Sequence, residues 1–155
     1  MARREPSVAL WKSETVKYNR SVANESVNQV IADYYRDFST LNVQGILPYF
    51  HEPSLLVGPQ GVIPIPNHAA LVAVFGAVME GLRAKGYGRS EFELSYARSL
   101  SSSAALIGGV ALRYNADGQL LERVGITYLL HKAENGWKFA TVILHDPDTV
   151  EVEQQ

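Results

Sequence analysis

NESVNQVIADYYRDFSTL, residues 24–41, has the spacing of an amphipathic helix. Its apolar side chains recur three and four residues apart, which places them on one face of the helix. That face comprises Val27, Val30, Ile31, Tyr34, Phe38 and Leu41. Tyr34 brings a hydroxyl group into this otherwise apolar stripe. Because four strand-like segments follow later in the chain, we expect the helix to lie against a sheet.

The composition indicates a single soluble, globular domain. The chain has 155 residues, of which 46% are hydrophobic and 19% charged, and this is enough to bury a core. Its formal net charge of -2 gives no electrostatic basis for binding nucleic acid. No apolar run reaches the ~20 residues that cross a bilayer, so we expect no membrane partner and a cytoplasmic location. The absence of cysteine excludes disulfides, thiolate nucleophiles and cysteine metal sites.

The sequence divides into an N-terminal basic arm (1–21), a folded domain (22–148) and a short tail (149–155). The arm lacks a clean hydrophobic period, and its basic side chains outnumber the acidic ones. One interpretation is a mobile tail. The other is an arm that docks on its own domain or on a partner subunit, because Val8, Leu10 and Trp11 are costly to leave in water.

The middle of the chain predicts three further elements, each bounded by turn-forming residues. They are a short helix over 42–50, a hairpin of strands 54–57 and 62–65, and a long helix over about 68–85. Asn67 can cap the long helix by accepting a hydrogen bond from a backbone N–H group. Gly76 and Gly81 each cost about 1 kcal/mol in a helix interior, so we expect them to pack closely against the sheet.

The last third of the chain alternates apolar and polar residues, which predicts antiparallel strands. These strands span 91–100, 104–114, 120–132 and 137–145. Turn-forming residues at 101–103, 115–118 and 134–136 join them into a meander. Strands of this length twist and curl strongly.

Four segments carry a resemblance to a known superfamily: YYRDF at 34–38, ILPYF at 46–50, GPQG at 58–61 and NGWKF at 135–139. With this order of elements, the chain resembles the nuclear transport factor 2-like superfamily, near its SnoaL-like and ketosteroid-isomerase-like branches, over roughly residues 22–147. The resemblance implies an α+β fold, in which a cone-shaped, curved antiparallel sheet wraps around a long N-terminal helix (a cystatin-like roll). The cavity of such a fold lies between helix and sheet. Since the fold hosts both enzymes and non-catalytic modules, function has to be argued from the site.

Polar side chains inside an apolar cone are the candidates for chemistry. Tyr34 is predicted to donate a hydrogen bond to an oxyanion of the ligand, and His51 or His145 to move a proton. Each has a structural alternative. Tyr34 can pack its ring in the core and donate a hydrogen bond to a backbone carbonyl. A lone histidine where the chain leaves a helix, as His51 does, is often a turn or capping residue.

Seven further residues are predicted to bind a ligand: Tyr35, Phe50, Tyr96, Arg98, Tyr128, Trp137 and Thr141. Thr141 and His145 lie an even number of residues from Trp137, which places all three on one strand face. Arg98 shares a face with Leu94 by the same alternation. A buried arginine needs an anion, so Arg98 would bind an acidic ligand or pair with a carboxylate such as Glu122.

Two functions are compatible with such a pocket. The first is a small-molecule-binding protein with a mainly apolar conical pocket, non-catalytic and homodimeric through the sheet. Val110, Leu112, Leu121 and Leu129 make both sheet faces apolar, which favours dimerisation. The second is a general acid/base enzyme of isomerase, dehydratase or polyketide-cyclase type acting on a small apolar carbonyl or hydroxyl compound.

The enzyme hypothesis needs two titratable groups within reach of one another inside the cone. Interior strand positions offer apolar residues where a second acid would be wanted. A dyad of Asp146 with His51 or His145 remains open. No metal triad appears at ligand spacing, and no cofactor is expected. The sequence therefore slightly favours the binding protein.

Overall fold

The computed structural model describes residues 17–149 of the chain. Predictions for most of the N-terminal arm and for the tail beyond residue 149 lie outside the described residues. In chain order the elements are α1 (Lys17–Phe38), a 3₁₀ helix (Val43–Tyr49), β1 (Phe50–Gly58), β2 (Gly61–Ile65), α2 (His68–Ala84), β3 (Tyr87–Ser101), β4 (Ala104–Asn115), β5 (Leu120–Ala133), β6 (Gly136–His145) and a 3₁₀ turn (Pro147–Thr149). The predicted α+β class is confirmed.

The six strands form one curved, unclosed sheet in the order β2-β1-β6-β5-β4-β3. Neighbouring strands run antiparallel, except that β1 and β6 are parallel. The sheet is therefore mixed, whereas the sequence predicted an antiparallel one. The reason lies in the chain path: the four-stranded meander ends in β6, which joins the hairpin of β1 and β2 along the side of β1. Helix α1 packs on the inner face of this sheet.

Helix α1 buries the stripe that its spacing predicts. Val27, Ile31, Tyr34 and Phe38 are all buried. The helix begins at Lys17, earlier than the predicted start at residue 24. The aromatic rings at the centre of the stripe meet the rings of the sheet edge to face, as in the Tyr34–Phe139 pair with ring centroids 4.8 Å apart. Such pairs add about 0.5–1.5 kcal/mol to the burial itself, so α1 is firmly held on the sheet.

Helix α2 closes one side of the space between α1 and the sheet. The Asn67 side chain caps it, accepting a hydrogen bond of 2.9 Å from the Ala70 N–H group, as predicted. The helix ends before Gly86, whose φ of 79° suits a residue without a side chain. The expectation that Gly76 and Gly81 pack closely against the sheet is wrong. Apart from the helix's own backbone, a Cβ atom at either position would meet no atom of the described residues within 4 Å.

Two β-bulges reverse the faces of β3 and β6. In β3 the register shifts between Leu94 and Tyr96, and in β6 it shifts between Phe139 and Thr141, opposite Leu129 and Leu130. One extra residue moves every later side chain to the opposite face. Residues before each bulge keep the face that alternation predicts, and residues after it change face.

Glycines accommodate the bulge in β3. A Cβ atom on Gly109 would collide with the Glu93 carbonyl oxygen, and one on Gly108 would collide with the Tyr96 ring. The Tyr96 ring therefore lies over Gly108, on the outer face of the sheet.

Among the described residues, no helix is both long and apolar enough to cross a membrane. The cytoplasmic location stays a prediction.

Candidate functional site

The main cavity lies between α1, α2 and the inner face of the sheet. Its volume is about 240 Å³. Helix α1 contributes Tyr34, Tyr35 and Phe38 to its wall, and α2 contributes Phe75 and Val78. Aliphatic side chains from β1, β4, β5 and β6 complete the wall, together with Tyr128, Ser90 and Arg113. The cavity is thus mainly apolar, with a few polar groups.

Tyr34 lines this cavity. It is 5% exposed, and its ring packs against six other aromatic rings. No described residue forms a hydrogen bond with its hydroxyl group, so the predicted alternative of a bond to a backbone carbonyl is not observed. Burial, with a smaller contribution from Tyr35, raises the pKa of Tyr34 well above its ordinary value. The hydroxyl therefore stays neutral and can donate a hydrogen bond.

Tyr35 and Tyr128 form a buried pair on the cavity wall. Their hydroxyl oxygens are 2.8 Å apart. Burial is the main cause that raises the pKa of both side chains. One hydroxyl hydrogen makes the bond between them. The other hydrogen has no acceptor among the described residues, and the pair therefore offers the cavity a second neutral donor.

Arg113 brings a cation to the cavity. Its Nη1 atom donates a hydrogen bond of 2.6 Å to Glu122 Oε2, and Lys85 Nζ lies 3.4 Å from Glu122 Oε1. Burial raises the pKa of the Glu122 carboxyl group, but the hydrogen bond and charge of Arg113, together with Lys85, outweigh it and hold the pKa below its ordinary value. Glu122 is therefore ionised at neutral pH and bound to both cations.

The sequence interpretation missed Arg113 and assigned its partner to Arg98. Arg98 is exposed, and it lies beyond the β3 bulge on the outer face, opposite Leu106. Glu122 pairs with Arg113 across β4 and β5 instead. Alternation along β4 could have predicted the inward position of Arg113, because Ile107, Ala111 and Arg113 are separated by even numbers and no bulge intervenes.

Comparison with known proteins agrees with this architecture. A model of the NTF2-like protein family DUF6841 matches residues 24–147, which is most of the chain. The chain belongs to this NTF2-like family. The predicted superfamily is thereby confirmed, whereas the SnoaL-like branch stays a prediction. No curated protein matches the sequence.

Solved NTF2-like structures share the fold at low sequence identity. A domain of unknown function with a cystatin-like fold from Nostoc punctiforme has 17% identity and a TM-score of 0.65, covering 84% of this chain and 79% of its own. An NTF-2 like protein of unknown function from Shewanella oneidensis has 13% identity and a TM-score of 0.65, with coverage of 80% and 99%. A ketosteroid isomerase-like protein from Erwinia carotovora atroseptica has 18% identity and a TM-score of 0.60, with coverage of 79% and 96%. At these identities the likeness concerns the fold alone.

Seven of the ten predicted site residues of this NTF2-like chain do not line the main cavity, and five of these lie away from it: His51, Tyr96, Arg98, Thr141 and His145. The bulges explain four of them, since Tyr96 and Arg98 follow the β3 bulge while Thr141 and His145 follow the β6 bulge. The predicted common faces of Arg98 with Leu94, and of Thr141 and His145 with Trp137, are therefore wrong. The structure does not bring these side chains to the ligand space.

His145 takes part in a polar chain on the outer face. Its Nε2 atom lies 2.9 Å from Thr127 Oγ1, and that oxygen lies 3.4 Å from the Tyr96 hydroxyl. The Nδ1 atom lies 3.0 Å from the backbone carbonyl of Asp146. Since a carbonyl oxygen only accepts, Nδ1 carries a hydrogen. The hydrogen-bond partners of the His145 ring are thus the Thr127 hydroxyl and the main chain.

His51 faces another histidine. Its Nε2 atom lies 3.3 Å from Nδ1 of His131 and 3.2 Å from the His131 backbone oxygen. Alternation along β5 places His131 on the outer side of the sheet, since its neighbour Leu130 is buried on the inner side. The contact with His131 places the His51 ring on the outer side as well.

Phe50 and Trp137 are buried in the core beside the cavity and do not line it. Phe50 packs its ring against those of Tyr34, Phe75 and Phe139. Phe50 therefore packs against the wall residues Tyr34 and Phe75 from outside the cavity. Of the ten predicted site residues, Tyr34, Tyr35 and Tyr128 are the ones that reach the main cavity.

The cavity wall has the chemistry of a donor surface. Among its described residues are tyrosines, Ser90 and Arg113, but no histidine and no aspartate. Within residues 17–149, no group of three or more histidine, aspartate or glutamate side chains could hold a metal ion. The arrangement can therefore orient a bound molecule through neutral hydroxyl groups and one guanidinium.

Proposed function

We propose that this NTF2-like protein binds a small, mainly apolar molecule with a hydrogen-bond acceptor in its main cavity and does not transform it. The observation that carries the proposal is the Tyr34 hydroxyl, which lines the cavity and has no hydrogen-bond partner among the described residues. A ligand oxygen beside Tyr34 would accept the hydrogen bond that no described residue accepts, which is worth about 0.5–1.5 kcal/mol.

The size and the wall of the cavity support this function. At about 240 Å³, it is slightly below the range of about 300–1,000 Å³ that is usual for ligand pockets, so the ligand is small. A mainly apolar wall with a few placed donors is the usual composition of such pockets. Burial holds the tyrosines neutral, which makes them donors and not bases.

Calorimetric titration with hexan-1-ol and octan-1-ol tests the proposal. The alcohols combine an apolar chain with one acceptor oxygen. We expect saturable binding to the wild-type protein and a rise in its melting temperature, since a ligand at 100 times its Kd adds about 2.7 kcal/mol to the free energy of unfolding.

Ala111→Leu provides the blocked cavity, because Ala111 is buried and lines the wall. Ala73→Leu, the same change at an exposed position of α2, is the matched control. We expect the alcohols to bind to the control and not to the blocked variant. Val124→Phe, at another wall position, replaces Ala111→Leu if that protein does not fold. Absence of binding to the wild-type protein, or equal binding to the blocked variant, would contradict the proposal.

The general acid/base enzyme has less support from the geometry. His51 and His145 lie outside the cavity, and the ring of His145 bonds the backbone carbonyl of Asp146. Glu122 is bound to two cations, which lower its pKa and so weaken it as a base. The described cavity wall therefore supplies hydrogen-bond donors that orient a ligand. It does not supply the base that an acid/base enzyme would also need.

The outer face of the sheet supports a homodimer as part of the same proposal. Paired positions across four strands place three leucines and one threonine side by side: Leu55, Thr141, Leu129 and Leu106 are neighbours. A mainly apolar row of this kind on a sheet surface favours a second cover. We expect a sedimentation mass of twice the chain mass of 17.1 kDa.

Leu129→Glu places a charge in the centre of this row and should give the single-chain mass. Leu120→Glu, at an exposed leucine near the hairpin, is the control and should stay dimeric. A wild-type protein with the mass of one chain at micromolar concentration would refute the dimer.

A further inference from the structure

Side chains alternate between the two faces along β4, and this alternation directs Arg113 towards the cavity wall. Its side chain is only 15% exposed, and its guanidinium carbon lies 5.8 Å from the centre of the Phe38 ring. Phe38 and Arg113 both line the cavity. A charged group taken this far from water needs strong compensation, through ion pairing and through hydrogen bonds to its remaining N–H groups.

The guanidinium of Arg113 has N–H groups that donate to no described residue. It carries five N–H groups, and the described residues provide one hydrogen bond, from Nη1 to Glu122. Its Nε atom is buried and has no hydrogen-bond partner within residues 17–149. A carboxylate commonly takes two parallel N–H donors of an arginine, whereas Glu122 here takes one. Arg113 therefore retains the capacity to bind a further acceptor.

The local charge favours an anion as that acceptor. Glu122 lies between two cations, Arg113 at 2.6 Å and Lys85 at 3.4 Å. The three side chains together carry one net positive charge. Lys85 remains beside Glu122 when the guanidinium is shared with a ligand, so a second carboxylate at Arg113 does not leave Glu122 without a cation.

We infer that the ligand of the main cavity is a small apolar monocarboxylate, with its hydrocarbon part among the apolar side chains and its carboxylate against Arg113. This inference rests on the proposed function and names the ligand class of the same site. The carboxylate takes the guanidinium donors that Glu122 does not use, and it neutralises the net charge of the cluster. The neutral tyrosine hydroxyls can donate to its oxygens.

Calorimetry with octanoate and octan-1-ol separates this inference from the proposed function. The two probes have the same chain length and differ in the charged head group. We expect octanoate to bind to the wild-type protein about tenfold more tightly, as hydrogen bonds to a charged group can provide. Arg113→Gln should remove this preference, because the variant lacks the charged donor that distinguishes a carboxylate from an alcohol. Arg123→Gln, the same change at an exposed arginine paired with Asp148, should retain the preference.

Glu122→Gln gives a second test that keeps Arg113 in place. Because the competing carboxylate is gone, octanoate should bind several-fold more tightly, with no change for octan-1-ol. Equal binding of the two probes to the wild-type protein would overturn the carboxylate inference and leave the proposed function standing. The inference is equally overturned if Glu122→Gln weakens octanoate binding. Failure of both probes to bind would overturn the proposed function itself.

Discussion

Tyr128→Phe removes one hydroxyl from the buried tyrosine pair and leaves the Tyr35 hydroxyl without its partner at 2.8 Å. Tyr128 is 1% exposed and Tyr35 is 8% exposed, so bulk water does not reach the abandoned group freely. A buried polar group that loses its partner destabilises a protein by about 1–3 kcal/mol. At about 2–4 °C per kcal/mol for a domain of this size, the melting temperature should fall by several degrees.

The double variant distinguishes a lost hydrogen bond from altered packing. Once Tyr128→Phe is present, adding Tyr35→Phe removes the abandoned hydroxyl and should cost little more. The two changes should thus be non-additive by about 1–2 kcal/mol in the free energy of unfolding. Tyr34→Phe is the matched control. Its hydroxyl has no described partner, and we expect its removal to change the free energy of unfolding by less than about 0.5 kcal/mol.

Urea denaturation followed by tryptophan fluorescence measures all five proteins: wild type, the two single variants, the double variant and the Tyr34→Phe control. Circular dichroism is the second probe of two-state behaviour. Additive effects of the two single changes would refute the reasoning. So would a Tyr34→Phe protein that is destabilised as much as Tyr128→Phe, because the hydroxyl bond would then not be the source of the loss.

Three other perturbations test the fold and the charge cluster. Asn67→Ala removes the cap of α2 and should destabilise the protein by about 1 kcal/mol in urea denaturation. Gly109→Ala should destabilise it by more than about 2 kcal/mol because its Cβ atom would meet the Glu93 backbone, whereas Gly81→Ala in open helix should stabilise it by about 0.5–1 kcal/mol. The pKa of Glu122 is lowered in the folded protein, so its stabilising contribution is present above its unfolded pKa and is lost as the pH falls through the folded pKa. Glu122→Gln should therefore be less stable than wild type at pH 7, and urea denaturation should show the gap closing as the pH falls below the ordinary pKa of a glutamate.

The sequence predicted the helices and most strand bounds because their patterns are local. The apolar side chains of α1 recur every three to four residues, and this spacing fixed the buried face around Tyr34. Turn-forming residues marked the ends of the hairpins within a few positions. Helix α1 begins earlier than predicted, since the segment from Lys17 has no apolar periodicity to indicate it. The parallel pairing of β1 with β6 depends on the whole chain path and has no local pattern.

Strand faces were predicted less well because an error in alternation propagates. A helix position is fixed by neighbours within one turn, whereas a strand position is counted from the start of the strand. The bulges at residues 94–96 and 139–141 each add one residue to that count. Gly109, which leaves space for the first bulge, lies on the neighbouring strand β4. Its effect on β3 can be recognised only when the register of the two strands is known.

The same bulges change the functional argument. If strand faces are assigned by alternation and the bulges are ignored, Arg98 and His145 lie on the inner face. They then suggest an acid, a base or an anion site on β3 and β6. If the bulges are included, those two side chains lie on the outer face. The inner face retains Arg113 on β4, where the register with β5 is uninterrupted up to that residue. Among its described wall residues, the cavity then has tyrosine hydroxyls that burial keeps neutral and one guanidinium, but no carboxylate or imidazole that could accept a proton. A wall of donors recognises a ligand with oxygen acceptors, and this is why the geometry favours binding over proton transfer.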